Sequence, residues 1–487
     1  MKRKGVCLFS RLLTGVLAAS MLILPAAADT AEILKAEYLT DIAYSGDLWW
    51  GCGIGYPRII VLQHSQLGQN NVLLATSEEG TAGLESYQPG YPIYRSTDQG
   101  KTWVEINFVQ DTLASVSSEW QPTLFELPAP CGDYPAGTIF LAACSVDSAH
   151  SRQSAIRLYA STDGGETFEK GVTIAVGGGL DTGVWEPFLV QLDDGRLVCY
   201  YSDSTEETEH SQKIVYKVSE DGKTWGDAVD VVASNLQSNR PGMPVVARLG
   251  DGTYFMTYEV VNNETNNGNP VTCRTSKDGL DWGDPTDLGT EIVSVDGEAM
   301  GSAPYCAWTP IGGDDGTLIV SGTFMRSGSS KTGTDYFLST DKGKTWTTTA
   351  HVIPYRTSLD HGGYSNAMAF TADGKVMYAI NNPPDPNVKD HAKLVCAMVE
   401  WVEGAAALPE NTPTFVQEIP TTTAANDATT SSTPSDNGND TTASSTSSDS
   451  GNGTLYTLLI VVGVVVVLGG GMIAVGVLVL KRPDKKE

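Results

Sequence analysis

Two glutamates next to apolar runs are the residues best suited to acid–base chemistry. Glu186 begins the apolar run 186–192, and Glu259 lies near the end of another, 255–260. An unpaired carboxylate is costly to bury, so its place beside a buried run indicates a function. One carboxylic acid can protonate a leaving oxygen while a second attacks or stabilises an oxocarbenium-like centre. The pair is therefore suited to cleaving a glycosidic bond.

Basic, aromatic and further polar residues occur near equivalent places in the chain and could bind a sugar. Guanidinium groups offer several donors in a fixed fork, and flat rings present an apolar face. Trp185 has an alternative interpretation as a packing residue, because Trp120 holds the same place in another segment, and Arg58 could instead be an ion-pair partner. The candidate substrate-binding residues are Tyr56, Arg58, Trp185, Asp203, Arg240, Arg326 and His361.

An internal repeat predicts the elements that position these residues. A segment with Ser, Asp, Gly and a closing aromatic occurs five times, about sixty residues apart. Asp and Gly favour a tight turn, and the aromatic ring can pack back onto the strands. We interpret these segments as Asp boxes with a structural role. They span 96–103, 161–168, 219–225, 276–282 and 339–346.

A second repeat, offset from the first, predicts the number of blades. In each copy a strand-like run is followed by a turn and a second apolar run, which indicates an all-β, six-bladed β-propeller. The sixth copy lacks an Asp box, and we expect its outer strands at 391–402 and 33–39, which would close the ring. The six runs are 56–62, 121–127, 186–192, 243–249, 303–309 and 364–370.

The hairpin pattern also predicts a common face for the candidate residues. The innermost strand of each blade lines the central channel, so the start of the first strand and the end of the second share one mouth. Glu186 lies at the first of these places and Glu259 at the second, with Glu78 and Asp203 nearby. The Asp boxes belong to the opposite face.

The two ends of the chain predict a route out of the cell and an anchor. A basic start, an apolar run and a small-residue site indicate a signal peptide over 1–28. Leu455 to Leu480 is apolar and long enough to cross a bilayer, and the Lys and Arg residues after it mark the cytoplasmic side. We therefore expect the signal peptide to be followed by a catalytic propeller at 29–405, a Ser/Thr-rich disordered stalk at 406–454, a transmembrane helix at 455–480 and a cytoplasmic tail at 481–487.

Charge and composition restrict the partners. The formal net charge is −27 with no basic stripe, which argues against binding nucleic acid. No Cys/His cluster has metal-ligand spacing, so we expect neither a metal nor another cofactor. The expected partner is an oligosaccharide or polysaccharide, and we expect a monomer at the cell surface with its N-terminal domain outside.

The repeats and the two glutamate segments together resemble a known group of enzymes. Five Asp boxes and six blades over 29–405 resemble the Asp-box (BNR repeat) sialidase superfamily. Within it, Gly-Val-Trp-Glu-Pro-Phe-Leu at 183–189 and Phe-Met-Thr-Tyr-Glu-Val at 255–260 resemble the catalytic segments of the exo-α-1,5-L-arabinanases. The resemblance implies a retaining enzyme with Glu186 as general acid/base and Glu259 as nucleophile. Tyr-Pro-Arg at 56–58 and Tyr364 would shape the subsite of the reacting sugar.

Two alternatives stay open. True sialidases use a Tyr nucleophile, an Asp acid and three arginines that clamp the substrate carboxylate. Tyr364 would then be catalytic, and the available arginines are Arg58, Arg240 and Arg326. However, the opening motif reads Pro-Arg-Ile instead of Arg-Ile-Pro, and the first blade offers no clear acid Asp. The second alternative is a carbohydrate-binding propeller without catalysis, because a fold alone does not specify function.

Overall fold

The computed structural model describes residues 36–47, 53–65, 67, 71–80, 89–113, 115–326, 333–353, 363–383 and 391–401. These residues form six four-stranded antiparallel sheets, which are the predicted blades of the propeller. The predicted signal peptide, stalk, membrane helix and cytoplasmic tail lie outside this part of the chain. Within it, no helix is long and apolar enough to span a bilayer.

Each of the first three blades runs in chain order from its inner to its outer strand. Blade 1 contains β2 (Gly53–Val61), β3 (Leu73–Gly80), β4 (Tyr91–Ser96) and β5 (Val104–Val109). Blade 2 contains β6 (Val116–Glu126), β7 (Ile139–Asp147), β8 (Gln153–Ser161) and β9 (Val172–Val176). Blade 3 contains β10 (Val184–Gln191), β11 (Leu197–Asp203), β12 (Lys213–Ser219) and β13 (Val229–Val232).

Blades 4 and 5 repeat this order, and blade 6 takes its outermost strand from the N-terminal end of the folded chain. A two-stranded ribbon, β18 (Met300–Gly301) with β21 (Phe324–Met325), adjoins blade 5 in sequence. Blade 4 contains β14 (Asn239–Arg248), β15 (Tyr254–Asn262), β16 (Val271–Ser276) and β17 (Thr290–Glu291). Blade 5 contains β19 (Tyr305–Thr309), β20 (Thr317–Ser321), β22 (Tyr336–Ser339) and β23 (Thr347–Thr349). Blade 6 contains β24 (Ala367–Phe370), β25 (Val376–Asn381), β26 (His391–Glu400) and β1 (Ala36–Asp47).

Blade 6 is completed by the two ends of the folded chain. Its outermost strand is β1, which pairs antiparallel with β26 from Ala36 opposite Val399 to Asp47 opposite His391. The expected closure is therefore present, and β1 runs further than the predicted range 33–39, of which residues 33–35 lie outside the described part of the chain. Because the ring closes, the propeller has no open side between its first and last blades.

The blades pack face to face, which explains their sequence pattern. Every residue of β11 is buried, since the sheet of blade 3 is covered on both sides by its neighbours. Strands covered on both faces read as continuous apolar runs rather than as alternating ones. The apolar runs used above to count blades are therefore the inner and second strands of each sheet.

The Asp boxes are tight turns between the third and fourth strands of blades 1 to 5. In the first box, the Asp98 carboxylate accepts the backbone N–H of Thr102 at 2.9 Å and its hydroxyl at 2.7 Å. Ser96 accepts the N–H of Gly100, and the Trp103 indole donates to the carbonyl of Gly100. These local bonds support the expected structural role of the boxes.

Candidate active site

A ring of backbone bulges surrounds the mouth of the central channel. At the start of the inner strand of every blade, one non-glycine residue has a left-handed backbone, with φ between 41° and 60°. Such a conformation costs about 1–3 kcal/mol per residue, and a bulge redirects the side chain at that point. The six residues are Tyr56, Gln121, Glu186, Met243, Ala303 and Ser365. Five of them hold the predicted first place in their strands, and in blade 6 the position belongs to Ser365, one residue after Tyr364.

The bulges are held by side chains from the second strand of the preceding blade. Glu78 Oε2 accepts the backbone N–H of Gln121 at 3.0 Å. Glu259 Oε2 accepts the N–H of Ala303 at 3.0 Å in the same way. Without this acceptor the buried N–H group of the bulge would have no hydrogen-bond partner, which costs about 1–3 kcal/mol of stability. The strained ring is therefore stabilised by the groups that give the mouth its chemistry.

Glu186 is the most extensively hydrogen-bonded carboxylate of the mouth. Its Oε2 accepts from the Ser202 hydroxyl at 2.5 Å and from the Met243 N–H at 3.0 Å. Gln121 contacts it from the other side, with Nε2 3.4 Å from Oε1. Burial raises the pKa of Glu186, while these donors and Arg240 lower it.

Glu259 lies close enough to Glu186 for their charges to interact. Burial, followed by the Glu186 charge, raises the pKa of Glu259 to about 7, and Ala303, Ser302 and Arg240 act in the opposite direction. Two neighbouring carboxylates in a buried site titrate as a coupled pair and share one proton over a wide pH range. The structure thus brings together the two predicted catalytic glutamates.

Glu78 is a third carboxyl group of this mouth and is half-buried. Sequence reasoning placed it nearby but did not include it among the candidate site residues. Burial raises its pKa to about 7, against the effects of the Gln121 N–H and of Arg58. Its signal in the sequence was its position in the second strand, which matches that of Glu259 in blade 4.

Two arginines supply positive charge to the three carboxyl groups. Arg58 is buried, and its guanidinium lies 3.9 Å from the ring centre of Tyr56. The same group donates to the carbonyl of Ser365 at 3.0 Å. Arg240 is half-buried and donates to the side chain of Gln212 at 2.7 Å. With two cations and three acids, the mouth favours keeping one proton on a carboxyl group.

Tyr364 is also part of the mouth. Its hydroxyl donates to Met243 Sδ at 3.2 Å, and its ring packs against an apolar cluster of Tyr56, Met243 and Ala303. Burial, followed by the charges of Glu259 and Glu186, raises the pKa of Tyr364 well above its ordinary value. This environment favours the neutral phenol over the phenolate.

The remaining predicted site residues have other partners. Trp185 is buried against Trp120, with ring centres 6.0 Å apart, as its alternative interpretation expected. Asp203 accepts the N–H of Thr205 at 2.8 Å in the turn after β11. Arg326 forms an ion pair with Glu291 and donates to the carbonyl of Asn267. His361 lies outside the described residues. A substrate-binding role for these residues stays a prediction.

Ligands for a metal ion come together at one place in the described part of the chain. Glu206, Glu209 and His210 lie within reach of a common ion in the turn after β11, and the two glutamates are exposed. Glu206 already pairs with Lys213 at 2.8 Å. An acidic surface turn of this kind is ordinary without an ion, and it contributes nothing to the mouth.

Comparisons with known proteins identify relatives of the whole propeller. A family model described as a BNR repeat-like domain matches residues 195–380. The α-L-arabinanase of Penicillium chrysogenum, solved with arabinobiose, is 31% identical at a TM-score of 0.64, covering 75% of this chain and 99% of its own. The GH93 α-L-arabinofuranosidase of Fusarium graminearum, also with arabinobiose, is 28% identical at 0.63, covering 76% and 98%. No curated protein matches the chain.

The raised pKa of Glu259 predicts how stability depends on pH. A carboxyl whose pKa is higher in the folded state binds its proton more tightly there, so stability falls as pH rises from about 4.5 to about 7. Glu259→Gln keeps an acceptor for Ala303 but has no charge. We expect the variant to match the wild type at pH 4 and to exceed it at pH 8, by up to about 3 kcal/mol.

Urea unfolding at both pH values measures this difference. Glu207→Gln, at an exposed position, is the control and should show no such pH dependence. An equal effect of Glu259→Gln at pH 4 and pH 8 would contradict the prediction.

Proposed function

The chain belongs to the family of the Penicillium α-L-arabinanase and is a glycoside hydrolase, and from this premise we propose that it is a retaining, exo-acting enzyme for extracellular arabinan-type polysaccharide. The observation that carries the proposal is the placement of Glu186 and Glu259 in successive blades: Glu186 accepts the N–H of Met243, whose neighbour Gly242 pairs with Glu259. A retaining glycosidase needs two such carboxyl groups, one protonated and one ionised. Its relatives in Penicillium and Fusarium were solved with arabinobiose, which supports an arabinose-containing substrate.

The family resemblance assigns the general acid/base role to Glu186 and the nucleophile role to Glu259. A coupled pair that shares one proton can supply both roles, provided that the proton is on Glu186 when the substrate is bound. Ser202 is compatible with this change, because its hydroxyl can donate to the carboxylate or accept from the carboxylic acid. Glu259 would then be ionised and available for attack on the sugar.

The arginines favour a neutral sugar over sialic acid. A sialidase clamps its substrate carboxylate with three arginines, whose donors must be available together. Here Arg58 donates to Ser365, Arg240 donates to Gln212, and Arg326 pairs with Glu291. Each of the three guanidinium groups thus already has a protein partner of its own. Tyr364, which packs with Tyr56 beside Arg58, offers a rigid wall for a flat furanose ring.

A hydrolysis screen of the full chain tests the substrate. Linear α-1,5-arabinan and sialyl-lactose would be supplied side by side, and short arabino-oligosaccharides from the first are the expected product. Because both carboxyl groups take part, Glu186→Gln and Glu259→Gln should each reduce kcat at least about 100-fold. Glu126→Gln is the matched control, since it removes a carboxylate of the same inner strand layer far from the mouth. Release of sialic acid that Tyr364→Phe abolishes would overturn the proposal.

The dependence on the leaving group tests the two roles. An aryl arabinoside with an activated leaving group needs no proton at its departing oxygen, so Glu186→Gln should still release about one equivalent of phenol rapidly. Its turnover should stay slow, because water attack on the glycosyl-enzyme still needs Glu186 as base. Glu259→Gln should be inactive on both aryl and natural substrates, because the nucleophile is missing. The anomeric form of the first product, followed by NMR, reports retention. Inversion, or the opposite behaviour of the two variants, would contradict the assignment.

We propose further that the enzyme acts at the cell surface as a monomer. The signal-peptide pattern at 1–28 and the apolar stretch at 455–480 support an extracellular propeller on a membrane anchor. Labelling of intact cells with a membrane-impermeant amine reagent should modify the propeller, and light scattering of the solubilised chain should give one copy. Labelling only after cell lysis would contradict the location.

A further inference from the structure

We propose that Glu78 is a positioning residue of the reaction: its carboxylate fixes the backbone of Gln121 and offsets the charge of Arg58, so that Glu186 keeps its place and its proton. The inference rests on the proposed function, in which Glu186 is one of the two reacting carboxyl groups. Glu78 lies in β3 of blade 1, two blades before Glu186.

Hydrogen bonds connect Glu78 to Glu186 through one intermediate residue. Glu78 Oε2 accepts the backbone N–H of Gln121 at 3.0 Å and so holds its left-handed bulge. The Gln121 side chain in turn accepts the backbone N–H of Glu186 at 3.1 Å through Oε1 and reaches the Glu186 carboxylate through Nε2. We call this arrangement the Glu78–Gln121 clamp. It fixes both the backbone and the carboxylate of Glu186.

The adjacent strand of the same blade, β2, leaves space for the Glu78 carboxylate. A Cβ atom on Gly55 would lie 2.6 Å from Glu78 Oε1, which is closer than real contacts allow. Only glycine therefore permits the Glu78 carboxylate to lie against β2.

Other blades show that a charge is unnecessary for holding a bulge. The N–H of the Glu186 bulge is accepted by the neutral side-chain oxygen of Gln121 at 3.1 Å. The N–H of Met243 lies 3.0 Å from the Ser202 hydroxyl, at the place that Glu78 holds in blade 1, and at the same distance from the Glu186 carboxylate. A buried carboxylate is costly where a hydroxyl suffices. The charge of Glu78 therefore has a role beyond the backbone bond.

That role follows from the groups that face Glu78. Arg58 is the cation, Glu186 is the second carboxyl group, and Tyr56, Cys144 and Tyr364 are the neutral titratable groups around them. Arg58 lowers the pKa of Glu186, which favours loss of its proton. An ionised Glu78 offsets Arg58 and repels a charge on Glu186, and both effects favour the protonated form of Glu186.

Replacement by glutamine separates the two contributions. Glu78→Gln keeps an oxygen that accepts the Gln121 N–H but removes the charge, whereas Glu78→Ala removes both. In full-length protein with ¹³C-labelled glutamate carboxyl groups, we expect Glu78→Gln to lower the titration midpoint of Glu186 by about one pH unit. Comparison with Glu186→Gln identifies the signal. The alkaline limb of kcat/KM on arabino-oligosaccharides should move down by the same amount, with KM nearly unchanged.

The controls distinguish failure of this inference from failure of the proposed function. Glu126→Gln removes a buried carboxylate that also accepts backbone N–H groups of a neighbouring blade, and should leave the Glu186 titration unmoved. An unchanged Glu186 midpoint in Glu78→Gln overturns the role of Glu78, whatever the substrate. If the wild type cuts no arabinan, the proposed function fails, while the titration still decides the role of Glu78. Loss of activity in Glu78→Gln would also overturn the inference if neither the Glu186 titration midpoint nor the alkaline limb of kcat/KM shifts.

Discussion

The structure of the mouth depends on one interaction: a backbone N–H in a left-handed bulge, satisfied by a side chain from the preceding blade. Glu78 holds Gln121 in this way, and Glu259 holds Ala303. A bulge in each inner strand turns its side chain towards the channel axis, at a cost that the fold must offset. Because the offsetting groups are carboxylates of the site itself, blade packing and site chemistry cannot be separated. Glu259, the proposed nucleophile, therefore also holds two blades together.

This dual use explains the electrostatics of the mouth. Burial alone would favour the neutral form of every carboxyl group. The N–H groups of the bulges and the two arginines counteract it, so the pKa values of Glu78 and Glu259 rise only to about 7. Glu186 accepts the most hydrogen bonds, yet it lies beside Glu259, whose charge opposes its own. Acid and base at one site thus follow from the packing of strands.

Much of the fold could be predicted from the sequence because it is periodic. Short-range patterns, such as the turn around Asp98 and the apolar run before Glu259, repeat often enough to fix the number of blades and the face of each hairpin. Glu186, Glu259, Tyr56, Arg58 and Tyr364 come together as the periodicity predicted. The closing strand was predictable for the same reason, since the repeat pattern left blade 6 without an outer strand.

Contacts that depend on side-chain direction could not be predicted in this way. Arg326 is near a strand end, but its guanidinium turns to Glu291, and Asp203 serves its own turn. Glu78 was not included among the site residues. Its neighbours in the sequence indicate the second strand of a blade, but they do not indicate the bulge of Gln121 that its carboxylate contacts. Its partner is about forty residues away in the chain, at a distance that no local pattern records.

The pairing of β1 with β26 also restricts how the molecule can form. Ala36 and Val399 become neighbours only after every blade between them has been made. A contact of such long range is slow to form and brings no stability to the partial ring. During synthesis β1 therefore has no partner until β26 has been made. The pairing of these two strands is the last step in closing the ring. Ring closure therefore depends on this pairing, in which the first and last strands of the propeller meet.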